Sequence, residues 1–591
     1  MKQKTKWKLL SWVMVILIMA SLLGACNQGN KGDSETTQLT ETSVATETEA
    51  GKDVWYKDKV DIKIDTPLGA WITDVNEGKP KDRIMKWIEE TYNVNIIFNT
   101  IAANEQQKHI LNLAAGTSGD MIQYGGWAMG PELTVKGAEE DLFVDFHELT
   151  NKYPERYPVM EKIINEDGYK YVCNYLYGLP EKAYGYWDYN VSNVPVGGEL
   201  YNMKLMRSIG KTEADIPKTV DELVALLRHC KATKPGIIPF GFDARKGTRW
   251  DNLNATFFQT YGKEINEVFQ NADGTWYNAT IDAGNIPSWK LVQQLYAEGL
   301  IFKEEFTIDN YITDVFNEGN MLVHDCYMPH FATYHKLELE ALQKLDPSYN
   351  KNDLRSNPNA LKGPGGSVTQ RWGTGDLFAK TVIPRSSKVP ERALDIINFL
   401  CSKQGQLMAQ YGLEGIHYTV DGNGNIVKNA EEIKKDREDI YARSLGVLPI
   451  SYLHGCAWGF VKDYETNTYL DAGKNALNVQ LAGVKTDALK GDDPLLTNWL
   501  ESYNNFVKNV IYNPFWQSNI YKSSTMRTIE SKMKDVQNAW FMKFVIGEKD
   551  PEKDWEEFVK EYNAAGAQQY LEDYSKNAAE AEKAYNKLFK K

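Results

Sequence analysis

The sequence predicts an α/β protein of two lobes, each a mainly parallel sheet flanked by helices. Three observations predict it. Strand-like and helix-like stretches alternate over residues 60–124, a second alternating set begins after Pro180, and 591 residues exceed what one hydrophobic core can use.

Residues 60–64 alternate apolar and polar and stop at Thr66-Pro67-Leu68-Gly69, which reads as a strand and turn. Residues 83–90 read as helix, 94–98 as strand, 106–115 as helix and 120–124 as strand, ahead of Gly125-Gly126-Trp127. Strand, helix, strand, helix, strand implies right-handed crossovers and a parallel sheet, whose ligands sit at the carboxyl ends of the strands. In the second set, Pro217 precedes a helix that opens at Thr219-Val220-Asp221-Glu222-Leu223, with Leu226 and Leu227 on its apolar stripe. Residues 237–242 read as a buried strand, and 243–251 as the polar and aromatic loop that leaves it.

The amino end has a different character. Four lysines within residues 1–8 precede an uncharged apolar run, 9–25, of 17 residues, too short to span a bilayer comfortably and ordered like a secretory signal. Its end, Leu23-Gly24-Ala25-Cys26, resembles a bacterial lipobox. That resemblance implies cleavage before Cys26 and lipidation of its thiol, where two or three acyl chains give stable anchoring. An ordinary signal peptide and an uncleaved anchor are the other readings. Residues 27–51 are almost all Ser, Thr, Glu, Gln, Asn and Gly and cannot bury enough apolar surface to order themselves, so 26–52 is expected to be a flexible tether.

Charge narrows the partners. Removing residues 1–25, with four lysines and no acid, takes the formal charge from −13 to −17. Such a surface argues against nucleic acid and gives no attraction to an anionic membrane. Besides Cys26 there are five cysteines, at 173, 230, 326, 401 and 456, with no CxxC spacing, so the fold must rest on its core. The 16 Trp, 33 Tyr and 21 Phe serve that core and are also natural platforms for sugar rings.

Several runs carry a more specific resemblance. They are Leu113-Ala114-Ala115-Gly116 with Gly119-Asp120-Met121-Ile122, Tyr177-Gly178-Leu179-Pro180, Glu199-Leu200-Tyr201-Asn202-Met203, Ile216-Pro217-Lys218-Thr219-Val220-Asp221-Glu222-Leu223, Leu295-Tyr296-Ala297-Glu298-Gly299-Leu300-Ile301 and Phe316-Asn317-Glu318-Gly319-Asn320. Pro390-Glu391-Arg392-Ala393-Leu394 and Tyr411-Gly412-Leu413-Glu414-Gly415-Ile416-His417-Tyr418 complete the set. In this order, over residues 60–565, the chain resembles family 1 extracellular solute-binding proteins, in their large Gram-positive lipoprotein branch, distantly similar to maltose-binding protein. The resemblance implies a two-lobed periplasmic-binding-protein-like fold that closes on an oligosaccharide and presents it to ABC permease subunits. It implies no enzyme activity, no cofactor and a monomer held by lipid at the outer face of the cytoplasmic membrane. The expected division is 53–190 plus 366–425 for lobe 1, 191–365 plus 426–525 for lobe 2, and 526–591 for C-terminal helices at the hinge. Crossings are expected near 180–202, 362–371 and 418–429. The Pro and Gly rich stretch 191–198 and Met203 to Met206 depart from the family pattern and leave the ligand class open.

Sugar rings need flat apolar platforms beside groups that bond two hydroxyls at once. At expected strand ends these are Trp71, Tyr124 with Trp127, Trp187 with Asp188, Asp243 with Arg245, Trp250 with Asp251, Asp325 with Tyr327, Arg371 with Trp372, and Trp458. Trp87, Trp289 and Trp540 fall on apolar helical stripes and belong to the core. His324, Asp325, Cys326, His330 and His335 gather metal-ligand types, but at no zinc spacing, and a strand end entering a helix accounts for them. Asp421-Gly422-Asn423-Gly424-Asn425 with Glu432 loosely follows an EF-hand loop but has Ile426 where glycine is needed, so a hairpin turn is the better account. Gly363-Pro364-Gly365-Gly366 lacks the features of a phosphate loop, and GxSxG and HExxH do not occur. The rival readings are a glycan-degrading enzyme with paired carboxylates, a sensory binding lipoprotein and a peptide-binding importer component.

Overall fold

A computed structural model describes residues 55–66, 83–100, 106–125, 136–190, 197–308, 312–364, 370–372, 376–408, 412–436, 462–463, 468–469, 510–512 and 520–589, apart from isolated positions within these runs. The chain divides into a short unit, residues 1–57, and a main unit, 58–591, to which everything below refers. Its strands begin with β1 (Val60–Thr66), β2 (Val94–Thr100), β3 (Met121–Gly125), β4 (Tyr186–Asn190), β5 (Gly197–Asn202) and β6 (Ile238–Phe242). They continue with β7 (Val268–Gln270), β8 (Trp276–Asn278), β9 (Met321–Tyr327), β10 (Leu354–Ser356), β11 (Gln370–Trp372) and β12 (Asp376–Val382). Two sheets carry the architecture, one ordered β2-β1-β3-β12-β4 and the other β10-β5-β9-β6.

In the first sheet β1 pairs in parallel with β2 and β3, while β12 runs antiparallel to β3 and β4. In the second, β6 and β9 are parallel and β5 runs antiparallel to β9 and β10. Each sheet is therefore parallel except for one strand. The mainly parallel expectation holds with that amendment, and the reversed strands have a topological origin. β5 is the first strand the chain makes on reaching the second sheet, and β12 closes its return to the first.

Local sequence explains the elements. In β1 the period-two pattern buries Ile62 and Ile64 and leaves Asp61 and Lys63 exposed. Helix Arg83–Thr91 buries Ile84, Met85 and Ile88 on one stripe. Helix Val220–Thr233 starts at a capping box, in which Thr219 accepts from the Glu222 amide and Glu222 reaches back to the Thr219 amide. The Gly119-Asp120 step locks β3 beside β1. The amide of Gly119 donates to Asp65 Oδ2 at 2.9 Å, and Asp120 accepts from the Lys63 amide and Ser387. A side chain at position 119 would stand 2.7 Å from the Lys63 carbonyl, so only glycine permits this approach.

The second sheet rests on an aromatic core that the C-terminal helices complete. Trp289, on helix Ile286–Ala297, is fully buried, with ring centroids 4.4 Å from Phe541, 4.8 Å from Phe258 and 6.1 Å from Trp250. Phe541 and Trp540 come from helix Ser524–Ile546, which ends at Gly547 in the left-handed region. Trp555, Phe558 and Tyr562 of helix Trp555–Ala564 extend the cluster. The last helix, Ala567–Phe589, sets Tyr574 against Trp276 of β8 and Tyr585 against Tyr171, which lies in the helical stretch that leads into β4.

Only six residues separate Asn190, the end of β4, from Gly197, the start of β5. Fully extended, the connection reaches about 25 Å at most. Gly197 pairs with Tyr327 at the carboxyl end of β9, and Asp376 pairs with Asn190 at the carboxyl end of β4. Short chain reach thus joins the carboxyl edge of one sheet to the carboxyl edge of the other.

Replacing Trp289 by alanine should cost about 3–5 kcal/mol, because four aromatic neighbours lose their common partner. Urea denaturation should show a lower midpoint with an unchanged slope.

Candidate functional site

The best-defined polar surface at a carboxyl edge follows β6. Glu305 is buried beneath this strand end, and its two oxygens accept from the amides of Phe242 and Ala244, each at 3.0 Å. Burial pushes its carboxyl up to about 8, the two amides pull it down, and the neighbouring Asp243 charge raises it again. Held from both sides, Asp243 accepts from Arg249 Nη1 at 2.7 Å. Arg249 also stands 3.9 Å from Asp251, whose side chain is half exposed, and its amide closes the loop on the Ala244 carbonyl at 3.0 Å. Gly247, inside this loop, has a φ of 73° that favours glycine. The result is a row of two carboxylates and a guanidinium at the sheet edge, with the Asp243–Arg249 pair held by a charge-assisted hydrogen bond.

At the carboxyl edge of the first sheet, Thr66 ends β1 and its hydroxyl donates to Gln123 Oε1 at 3.1 Å. The buried Gln123 Nε2 has no hydrogen-bond partner among the described residues.

The sequence-derived candidates distribute unevenly. Asp243 and Asp251 stand together in the β6 loop, with Arg249, which sequence reasoning passed over in favour of Arg245. Arg245, Trp71, Trp127 and Trp458 lie outside the described residues. The backbones of Tyr124, Trp187, Asp188, Tyr327, Arg371 and Trp372 lie in strands β3, β4, β9 and β11, and their side chains are outside the description. β11 pairs in parallel with Val510–Tyr512, which sets Arg371 beside Ile511 and Trp372 beside Tyr512.

Two candidates are corrected. Trp250, expected to face ligand, is 2% exposed and packs against Trp289, Phe306 and Phe541, with Nε1 donating to Asn538 Oδ1 at 2.9 Å. Helix Asp251–Phe257 turns its first residue outward and pulls the preceding tryptophan into the core. Asp325, expected to accept sugar hydroxyls, is fully buried, with its oxygens committed to the Gly198 amide and the Thr256 hydroxyl. Glu305 carried no sequence signal, since its role depends on a backbone 61 residues away in the chain.

The metal-type residues have other engagements. His324 Nε2 lies 3.3 Å from Glu338 Oε1, both side chains fully buried, and its ring packs on Phe316. Among the described residues no group of three or more His, Cys, Asp and Glu could hold a metal ion. His330 and the side chains of Cys326 and His335 lie outside the description. Tyr418–Val420 and Ile426–Lys428 pair antiparallel as a hairpin. Glu432 bonds Arg83 Nη1 at 2.8 Å, and Asp436 takes Arg83 Nε at 2.7 Å and His417 Nε2 at 2.5 Å. The Leu413 amide donates to Nδ1 of that histidine, so Nε2 carries the proton toward Asp436. These contacts clamp the hairpin segment to helix Arg83–Thr91.

No protein-family model matches the chain, and no curated protein matches it. Solved structures do. An EF-hand mutant of the S. pneumoniae ABC-transporter substrate-binding protein FusA, in complex with fructo-nystose, aligns with a TM-score of 0.61 at 17% identity, covering 88% of this chain and 99% of that one. The alginate-binding protein AlgQ2 without calcium ion aligns with a TM-score of 0.59 at 17% identity over 88% and 98%. An HMO-binding, ABC-transporter-associated solute-binding protein from Bifidobacterium longum infantis gives 0.58 at 14% over 88% and 98%. The chain has the two-lobed periplasmic-binding-protein fold. In a binding-protein fold of this kind, the carboxyl edges of the two sheets are the surfaces a ligand can meet, and the Asp243–Arg249–Asp251 row stands on one of them.

Replacing Glu305 by alanine should strand two buried amides and lower stability by about 2–4 kcal/mol. Hydrogen exchange should quicken in peptides covering 242–250 and stay unchanged in the first sheet.

Proposed function

We propose that this protein is the lipid-anchored binding component of an ABC importer, which captures an oligosaccharide between its lobes and delivers it to the permease. The observation that carries this reading is the convergence of the two carboxyl edges through a six-residue crossing, with the Asp243–Arg249–Asp251 row fixed on one edge and the Thr66–Gln123 pair on the other. Hydroxyl-rich rings match carboxylate and guanidinium groups in such a row, and the aromatic side chains of Trp71, Tyr124, Trp127, Trp187, Tyr327, Trp372 and Trp458 are the stacking platforms in this reading. The fold neighbours support it. The FusA complexes are with fructo-nystose and kestose, and others of the same fold are named for alginate, HMO and N-glycan. Lipidation of Cys26 and the tether 26–52 hold the protein at the outer face of the cytoplasmic membrane in this proposal, within reach of permease subunits.

A thermal-shift screen of residues 52–591 against oligosaccharides, with amino acids and peptides included, tests it. Ligand that binds only the folded state at 100 times its Kd adds about 2.7 kcal/mol, a visible shift. A selective shift with the sugar recovered unaltered supports the proposal. A shift with peptides alone overturns the ligand class, and turnover of the sugar overturns the binding role.

With the sugar so identified, Asp243→Asn and Arg249→Gln should each weaken binding about tenfold or more by calorimetry, equivalent to about 1.4 kcal/mol. Trp127→Ala and Trp372→Ala should also weaken it while leaving the melting temperature of the free protein in place. Cys26→Ser should shift the protein from the detergent phase to the aqueous phase on partitioning.

A further inference from the structure

We infer that Glu199 and Asp325 form a proton-holding pair that fastens the crossing to the second sheet, and that losing the proton loosens the start of β5.

Gly197 and Gly198 are the landing point of the six-residue crossing from β4, and Glu199 follows them. Glu199 stands directly opposite Asp325 in the antiparallel register of β5 and β9, so their side chains share one face. Opposed residues in such a pair have Cβ atoms about 4.5–5.5 Å apart. Glu199 is 3% exposed and Asp325 is fully buried. Asp325 Oδ1 accepts from the Gly198 amide at 2.9 Å and Oδ2 from the Thr256 hydroxyl at 2.6 Å. Glu199 Oε2 accepts from Asn357 Nδ2 at 3.0 Å, and the Asn357 amide donates to the Glu199 carbonyl at 2.8 Å.

Among the described residues neither carboxylate has a Lys or Arg ion-pair partner. On β5, Tyr201 faces the same side with a buried hydroxyl that has no hydrogen-bond partner among the described residues. On β10, Arg355 opposes Tyr201 and directs Nε toward Glu213 at 4.0 Å. His324 lies on the other face of β9, against Glu338 of helix Phe331–Leu345, and its charge pulls the Asp325 carboxyl down against the larger effect of burial. Helix Asp251–Phe257 offers the uncharged Asn252 and Thr256, and its acidic first residue points to solvent. On β6, Phe242 neighbours Asp325, and the Asp243 that follows is paired with Arg249.

Two opposed carboxylates in one buried space cannot both ionise without a counter-charge, so the folded pair keeps a proton through neutral pH. Burial carries Glu199 up to about 8, with the Asp325 charge adding to it, and carries Asp325 up to about 7. Both folded values exceed the ordinary values of 4.5 and 3.8, so the native state binds more protons than the unfolded chain across this range. Stability from this pair therefore falls as pH rises toward 8, and repulsion acts where Asp325 holds the Gly198 amide.

Hydrogen exchange of the β5 peptide between about pH 6 and about pH 8.5 tests this. Base-catalysed exchange alone quickens about tenfold per pH unit, a logarithmic slope of one. Opening coupled to loss of one proton adds up to another tenfold per unit below the folded values, so the wild-type slope should stand near two or above at about pH 6 and fall toward one above about pH 8, as the folded pair itself titrates. Glu199→Gln should return it to one. A wild-type slope of one throughout, or a steep slope that survives Glu199→Gln, overturns the inference. Should Glu199→Gln fail to fold, Asp325→Asn supplies the same comparison, and the wild-type slope stands by itself. Glu305→Gln is the control for the other buried acid of this lobe: it should change the pH dependence of the melting temperature and leave the β5 slope alone, and flattening of that slope by Glu305→Gln would assign the effect to the wrong acid.

Discussion

Chain reach is the constraint on which the rest depends. Because β4 ends on one sheet and β5 begins on the other only six residues later, both at carboxyl edges, those edges are tied within one short span. The reversed strands follow from the same economy. A chain that arrives at a carboxyl edge and continues at once as a strand must run against the parallel strands of that sheet, as β5 and β12 do. The parallel strands then supply the loops that leave each edge, among them the one that carries Asp243, Arg249 and Asp251.

Buried and half-buried carboxylates recur in this molecule as backbone fasteners. Asp65 and Asp120 tie β1 to the entry of β3, Asp145 accepts from the His147 and Ala183 amides, Glu305 shapes the loop after β6, and Asp325 holds the first turn of chain into β5. An amide donor partly compensates a desolvated carboxylate, and Asp145 has Lys182 at 3.5 Å besides. The two lobes differ in how far they press this. Glu199, Asp325 and Glu305 sit in a single lobe, and burial raises all three.

Local features were legible in the sequence. The alternation of β1, the stripe of helix Arg83–Thr91, the helix opening at Thr219, the helical stripe that holds Trp540 and the hairpin at Tyr418 follow from rules that act over a few residues. What escaped depends on distant partners. A tryptophan before a helix can face solvent or core, and only the arrival of Phe541 from the far end of the chain decides for Trp250. An aspartate at a strand end can point to ligand or lie inward, and Thr256 with the Gly198 amide decides for Asp325. Arg249 was within the loop already singled out, yet nothing in composition ranks it above Arg245, because the pairing needs the loop to close on Ala244.

The place of β12 has a consequence for the order of assembly. β4 pairs in its sheet only with β12, which inserts between it and β3, so the first sheet stays a three-stranded β2-β1-β3 fragment until residue 382 is available. The second sheet draws all its strands from one stretch, 197–356. A chain that emerges amino end first thus completes its second sheet before its first, against the usual sequence of domain folding. The early strands meet their partner only across some two hundred residues of chain, a pairing of high sequence separation of the kind that costs loop-closure entropy.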